Sequence, residues 1–295
     1  MTFDKILKDI VSNHFKREWG SVVTLEPLLW ASFVPTIYPD GDTSKRAYSD
    51  IYCELTDREA LKNTCQEQLK EYNNFYSSNR MNLVLFMNAI QHVLKIVRVI
   101  TTTFGHALLV GVGGSGRKSL ATLSSFIAFQ SETLQVDQKN WIEELQKVMK
   151  LGGIEQKETV FMYSDTQIIK ESMVEDISNI LNNGEVPNLF PLEEKMKIIE
   201  EMSSYVAGTP NEKYAYFVQQ CKKNLHLVIC MSPVGEAFRR RLRTFPALVN
   251  CTTIDWFLPW PEEALRSTAD TVFIKDMDIQ DPKLRAGLVE VAVDM

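Results

Sequence analysis

The sequence has no close pair of cysteines. Its five, Cys53, Cys65, Cys221, Cys230 and Cys251, form no C-x-x-C motif. That argues against a disulfide framework and against a cysteine-ligated zinc site, and it points to buried thiols in a reducing compartment. Histidine is scarce. The four, His14, His92, His106 and His226, are far apart and read as structural residues rather than metal ligands. There is no long apolar run, because the stretch from 83 to 100 is interrupted by Gln91, His92, Lys95 and Arg98, too polar for a membrane span. The opening "MTFDKILKDIVSNHF" carries charges through its apolar positions, so no signal-peptide core is expected. There is no basic surplus. A net charge of −6 argues against a broad nucleic-acid groove and leaves only a local basic patch open. Internal repeats and low-complexity segments are missing. The ending "LVEVAVDM" has no helix stop signal, which reads as a piece of something longer.

What remains is ordinary globular composition, 45% hydrophobic and 24% charged over 295 residues. That length suits one large domain or two modest ones with a substantial core. Residues 1–80 are mixed. "PTIYPDGDTSK" (35–45) reads as a loop, and "LTDREALKNTCQEQLKEYNNFY" as a helix capped by Thr56, with Leu55, Leu61, Cys65 and Leu69 at helical spacing. "NLVLFMNAIQHVLKIVRVI" places Leu83, Phe86, Ala89, Ile90, Val93, Ile96 and Val97 on one face of a long amphipathic helix.

From residue 106 strands and helices alternate. "HALLVG", "ETLQV", "ETVFMYSD", "LHLVICMS" and "CTTIDWF" read as strands. Between them lie the helical stretches "GRKSLATLSSFIAF", "DQKNWIEELQKVMKL" capped by Asp137, "SMVEDISNILNN" closed by Gly184, "LEEKMKIIEEMSSYV", "EKYAYFVQQCKKN" and "GEAFRRRLRTF", with two further helices at the end. This alternation predicts an α/β fold, a parallel sheet with helices on both faces, whose ligands sit at the carboxyl ends of the strands.

"GVGGSGRKS", Gly111 to Ser119, lies at such an end. A Walker A phosphate loop reads G-x-x-x-x-G-K-[ST]. Gly111 and Gly116 have that spacing, and Val112, Gly113, Gly114 and Ser115 lie between them. Arg117 then stands in the lysine position and Lys118 in the Ser/Thr position. The glycines and the following helix still provide backbone N–H groups and a positive dipole end for an anion. Arg117 offers charge, but its planar fork does not replace a compact ammonium. Ser119 lies about 100° further round the helix, away from the metal position. The plainer reading is a glycine-rich turn with no ligand.

"TVFMYSD" has the shape of a Walker B strand, with Asp165 as the acid that holds Mg²⁺. Thr166 follows where many ATPases carry a water-polarising Glu. Ser232, leaving the strand "LHLVICMS", either faces a γ-phosphate or only forms a turn. Arg239 to Arg243, "RRRLR", read as a solvated helix face or as contact with an acidic partner. Trp256 and Trp260 read as packing the sheet edge rather than stacking bases.

"GHALLVGVGGSGRKSL", taken with "MNLVLFMNAIQHV", "DTQI", "NNGEVPNLF", "HLVICMSPVGEAFRRRLRTFPALVNCTTIDWF" and "PWPEEAL", resembles the fourth AAA+ module of axonemal dynein heavy chains over roughly residues 20 to 290. The resemblance implies a P-loop NTPase (AAA+) fold. Residues 1–80 would be a lead-in segment, 81–260 the α/β nucleotide-binding subdomain, and 261–295 the start of a truncated helical subdomain. It implies ATP or ADP at Gly111 to Ser119 and Mg²⁺ at Asp165. The segment around Asn82 to Phe86 would border the adenine, and Ser232 would stand at the sensor position. Cys251 would stand where relatives carry an arginine serving a neighbouring module. The partners implied are the other modules of the same heavy chain. Microtubules would be met only through the parent motor's stalk, in a cilium or flagellum, and no nucleic acid or membrane is expected.

With Arg117, Thr166 and Ser232 departing from an active site, the implied behaviour is nucleotide binding with weak or no hydrolysis. One alternative is a working ATPase in which Lys118 reaches the phosphates through a shifted loop and Glu171 or Glu175 serves as base. Another is a nucleotide-free interaction module.

Overall fold

The computed structural model describes residues 3–16, 18–23, 26–34, 52–131, 133–135, 140–269 and 281–294. The loop expected over 35–45 and the cap expected at Asp137 lie outside them. The chain divides into two compact units, residues 1–64 and 65–295. In the first, α1 (Phe3–Phe15) and α2 (Trp19–Val22) precede a short ladder in which β1 (Trp30–Ala31) pairs antiparallel with β2 (Cys53–Glu54). Trp30 stacks on Tyr52 beside this ladder.

Helix α3 (Arg58–Phe75) begins in the first unit and ends in the second. Its cap is Asp57 and not Thr56, since the Ala60 amide donates to Asp57 Oδ1 at 2.9 Å. A charged oxygen one residue nearer the first turn serves the exposed N–H groups better than a hydroxyl. Its buried stripe runs Leu61, Cys65, Gln68, Tyr72, and Leu69 is only half-buried.

The second unit holds α4 (Met87–Thr101), β3 (Ala107–Gly111), α5 (Arg117–Phe129), β4 (Leu134–Gln135), α6 (Trp141–Gly153), β5 (Thr159–Ser164) and α7 (Glu171–Asn183). It continues through α8 (Leu192–Met202), α9 (Pro210–Asn224), β6 (Leu225–Met231), α10 (Glu236–Thr244), α11 (Ala247–Asn250), β7 (Thr253–Phe257), α12 (Glu262–Thr268) and α13 (Pro282–Asp294). Helix α4 starts at Met87, later than the apolar period suggests, and residues 82–86 lead into it outside the helix, with Phe86 at the N-cap. Helix α6 takes Asn140 as its N-cap position. Helix α7 closes at Gly184, whose φ of +75° is the left-handed conformation expected there.

The five strands form one all-parallel sheet in the order β4-β5-β6-β3-β7. Strands buried on both faces read as continuous apolar runs, which explains "ALLV" and "LHLVICM". Alternate residues of each strand face opposite layers. Leu108, Val110, Phe161, Tyr163, Leu227 and Ile229 join the core built on α6, α7, α8 and α9. On the other side α4 and α5 pack together, with α4 also against β3 and β7 and α5 against β5 and β6. The chain leaves β3 towards β4 and leaves β6 towards β7, so the connections diverge beside the β3–β6 pair. A doubly wound parallel sheet opens its ligand crevice at such a point.

Among the described residues no helix is long and apolar enough to cross a membrane. All five cysteines are free; Cys65, Cys221 and Cys230 are buried, and Cys53 and Cys251 half-buried. Burial pushes the Cys65 and Cys230 thiols up to about 12, so neither is a nucleophile at neutral pH.

One buried polar cluster ties α4 to β7. Asp255, in mid-strand, is 6% exposed. Its Oδ2 lies 2.6 Å from His92 Nδ1 and its Oδ1 accepts from Lys95 Nζ at 3.0 Å. A carboxylate can only accept, so the His92 proton is placed on Nδ1. Burial would raise the Asp255 pKa, but the His92 hydrogen bond and the Lys95 charge outweigh it and hold the group below its ordinary value. Replacing Asp255 with Ala, which strands His92, should cost on the order of 3 kcal/mol in urea unfolding. Because the folded-state pKa is depressed, this contribution is complete above the unfolded value and lost as pH falls through the folded one. The wild type should therefore destabilise more steeply than Asp255→Ala below about pH 4; parallel stability curves would show that the cluster contributes nothing.

Candidate functional site

The loop between β3 and α5 carries the glycines the sequence singles out. A Cβ on Gly111 would lie 2.7 Å from Phe257 Cβ and 3.0 Å from Ser115 Oγ, so the close approach of β7 requires glycine there. Gly116, at the N-cap of α5, has φ +84°, which a side chain rarely tolerates. The turn presents the start of a 13-residue helix at the carboxyl end of β3, an inner strand of the sheet. Ser115 is 7% exposed, and its Oγ is buried with no hydrogen-bond partner. An orphaned buried hydroxyl inside a glycine loop is a position a ligand oxygen can satisfy.

Beside the loop opens a cavity of about 620 Å³, including the part open to solvent. Val84, Phe86, His92, Ser115, Leu120 and Trp260 are among its walls. The mostly apolar lining suits the apolar part of a small organic ligand. The non-helical lead-in, Asn82 to Phe86, forms one side of it. Phe86 and Trp260 meet edge-on, 5.3 Å between centroids, and His92 stacks on Phe257 at 3.9 Å. Trp260 also donates to the Ser115 carbonyl at 3.4 Å. It is therefore a wall of this cavity and not merely sheet-edge packing, while Trp256 is exposed. The Asp255 cluster holds one wall in place through His92, and neither residue stands out in the sequence as part of a site. The available signal was an acid inside the apolar strand "TIDWF" facing a histidine on the apolar side of α4.

The charged residues are arranged less conventionally. Arg117 points across the sheet, its Nη1 donating to the Met231 carbonyl and its Nη2 to the Val112 carbonyl at 3.1 Å. Lys118 reaches the turn after β5, its Nζ 3.4 Å from Thr166 Oγ1. Ser119 is half-buried on the first turn of α5.

At the end of β5, Asp165 begins a short 3₁₀ turn, Asp165–Gln167, closed by a capping box between Ser164 and Gln167. Asp165 Oδ2 accepts the Ser232 amide at 2.6 Å, joining the ends of β5 and β6. Thr166 Oγ1 lies 3.0 Å from Ser164 Oγ. Ser232 Oγ accepts from the Val234 amide at 3.3 Å, which is turn-forming geometry.

The remaining candidates lie elsewhere. Glu171 accepts three hydrogen bonds from the Arg241 guanidinium and one from Arg240. The Arg241 hydrogen bond holds its carboxyl below the ordinary range, so it is a weak base. The basic run is correspondingly not a wholly solvated face, since Arg241 is only 13% exposed and clamps α10 to α7. Glu175 is exposed on α7. Cys251 Sγ faces Asn182 Oδ1 at 3.5 Å. His106 and His226 are buried at the strand starts, with His106 Nδ1 accepting the Leu227 amide and burial lowering its pKa to about 4. Among the described residues no group of three or more His, Cys, Asp or Glu could hold a metal ion.

Residues 81–295 match the family model described as "P-loop containing dynein motor region D4". Among curated proteins, the chain is 38% identical over 310 residues to dynein axonemal heavy chain 6 of Homo sapiens, covering 99% of this chain and 7% of that protein. It is 38% identical over 311 residues to the dynein-1-beta heavy chain of the flagellar inner arm I1 complex of Chlamydomonas reinhardtii, covering 98% and 7%. Human dynein axonemal heavy chain 3 is 42% identical over 299 residues, covering 95% and 7%. The chain thus spans about 7% of the length of these relatives.

The Arg117 fork makes two backbone contacts that a lysine cannot make together. Arg117→Lys should lower stability by about 1 kcal/mol in chemical denaturation, and an unchanged midpoint would show that the fork holds nothing.

Proposed function

The chain belongs to the dynein motor-region family, an AAA+ P-loop fold, and from that membership we propose that it is the fourth module of an axonemal dynein heavy chain, binding ATP or ADP with little or no hydrolysis of its own. The observation that carries this reading is the glycine loop with its orphaned Ser115 hydroxyl opening onto a largely apolar cavity. The phosphates would lie over Gly113 to Gly116 at the start of α5, and the base between the Asn82–Phe86 segment and Trp260. Weak turnover follows from the same geometry. Thr166 stands where a base is needed and a hydroxyl does not polarise water at neutral pH. Arg117 is occupied by backbone carbonyls, and Glu171 by Arg241. In the parent motor the module would act by holding nucleotide between its ring neighbours, in the axoneme of a cilium or flagellum. Microtubules would be engaged by other parts of that chain.

The test is the thermal midpoint with and without nucleotide. ADP or ATP at about 100 times Kd should add about 2.7 kcal/mol of stability. Gly116→Val should lose this rise, and Trp260→Ala, away from the strained backbone, should weaken it. No rise in a folded wild-type sample would favour the empty interaction module. In steady-state turnover, Thr166→Glu should gain little, because the new carboxylate would meet the Lys118 ammonium. A gain of about a hundredfold, the scale of one general base, would mean that an intact hydrolytic site lacked only that acid.

A further inference from the structure

The magnesium ion that a P-loop fold implies does not fit the residues of this site. Such an ion is held by the Ser/Thr hydroxyl ending the phosphate loop and by the acid at the end of the neighbouring strand, together with phosphate oxygens and water. Here the hydroxyl position is Lys118. The acid, Asp165, has one oxygen engaged by the Ser232 amide at 2.6 Å and the other 3.4 Å from Ser164 Oγ. Lys118 Nζ reaches the same strand end, 3.4 Å from Thr166 Oγ1 on the residue after the acid. A divalent cation placed there would face this ammonium at short range, and like charges repel.

We infer that Lys118 takes the place of the divalent cation, so that this site binds nucleotide phosphates without Mg²⁺. The inference rests on the nucleotide-binding reading above and concerns how the phosphate charge is neutralised. A nucleoside diphosphate brings several negative charges to the start of α5. The helix end supplies only a partial positive charge. Arg117, the other cation of the loop, is engaged by the Met231 and Val112 carbonyls. That leaves Lys118, a compact charge with three donors on a flexible four-carbon stem. It can exchange the long contact to Thr166 for a phosphate oxygen by rotating side-chain torsions alone. Being exposed at the first turn of α5, it needs no backbone movement to do so.

The decisive experiment is a titration of the chain with fluorescent mant-ADP in excess Mg²⁺ and again in excess EDTA. The wild type should bind with a Kd that differs less than about threefold between the two media, an interval well inside the tenfold that 1.4 kcal/mol represents. Lys118→Ser restores the hydroxyl and removes the ammonium. Its Kd in EDTA should rise about tenfold or more, the scale of one charged hydrogen bond. A wild-type Kd that rises tenfold on chelation would overturn the inference and leave nucleotide binding standing. So would a Lys118→Ser variant that binds as tightly as wild type in EDTA. Absence of mant-ADP binding in both media would overturn the nucleotide-binding reading itself, and the inference with it.

Discussion

The carboxyl end of β6 fixes the charged side chains beside the glycine loop. Two consecutive backbone groups there take up the side chains that the neighbouring elements would otherwise direct at a ligand. The Met231 carbonyl accepts the Arg117 guanidinium, and the Ser232 amide donates to Asp165. Both partners are charged and both contacts are direct, so each is stronger than an ordinary neutral hydrogen bond. Because β6 lies between β3 and β5 in the sheet, the clasp also fixes the spacing of the loop against the acid-bearing strand. The side chains at the lysine and acid positions of the P-loop pattern are thereby engaged by backbone groups, and Lys118 is a further cation beside the start of α5.

The recognition side is built from different forces. The cavity walls come from α4 and its lead-in, from the loop after β3, and from the residues following β7. Each of these has its own anchor. Asp255 holds His92 and Lys95 on α4, Phe257 stacks under His92 and crowds Gly111, and Trp260 reaches the Ser115 carbonyl. A buried ionic contact is weak evidence of net stability but strong evidence of a defined arrangement, since losing either partner leaves an uncompensated charge. The arrangement keeps an apolar slot open next to a polar cradle. That pairing of surfaces suits a ligand with an aromatic base and a charged tail.

The alternation of strands and helices after residue 106 is legible in the sequence because each element carries its own period and punctuation. Gly184 closes α7 and the apolar run "LHLVICM" is a strand, as their local chemistry requires. Local patterns also misplace boundaries. The apolar stripe of α4 extends back to Leu83 and Phe86, yet these residues line the cavity ahead of the helix, because a cavity wall and a core face use the same side chains. The direction of Arg117 is not legible, since its partner lies 114 residues further on and is a backbone carbonyl with no sequence signature. The same holds for Asp165, whose partner is an amide 67 residues away. The run from Arg239 to Arg243 reads as solvated because nothing local indicates that Arg241 would find Glu171 on another helix.

The most direct test is a structure of the chain with ADP bound in the presence of a chelator. The account predicts the diphosphate over the loop from Gly113 to Gly116, Ser115 Oγ hydrogen-bonded to the nucleotide, Lys118 Nζ on a phosphate oxygen, and Asp165 still accepting from the Ser232 amide. Nucleotide bound elsewhere, a diphosphate over the loop with Lys118 still on Thr166, or an Asp165 freed from Ser232 would contradict it.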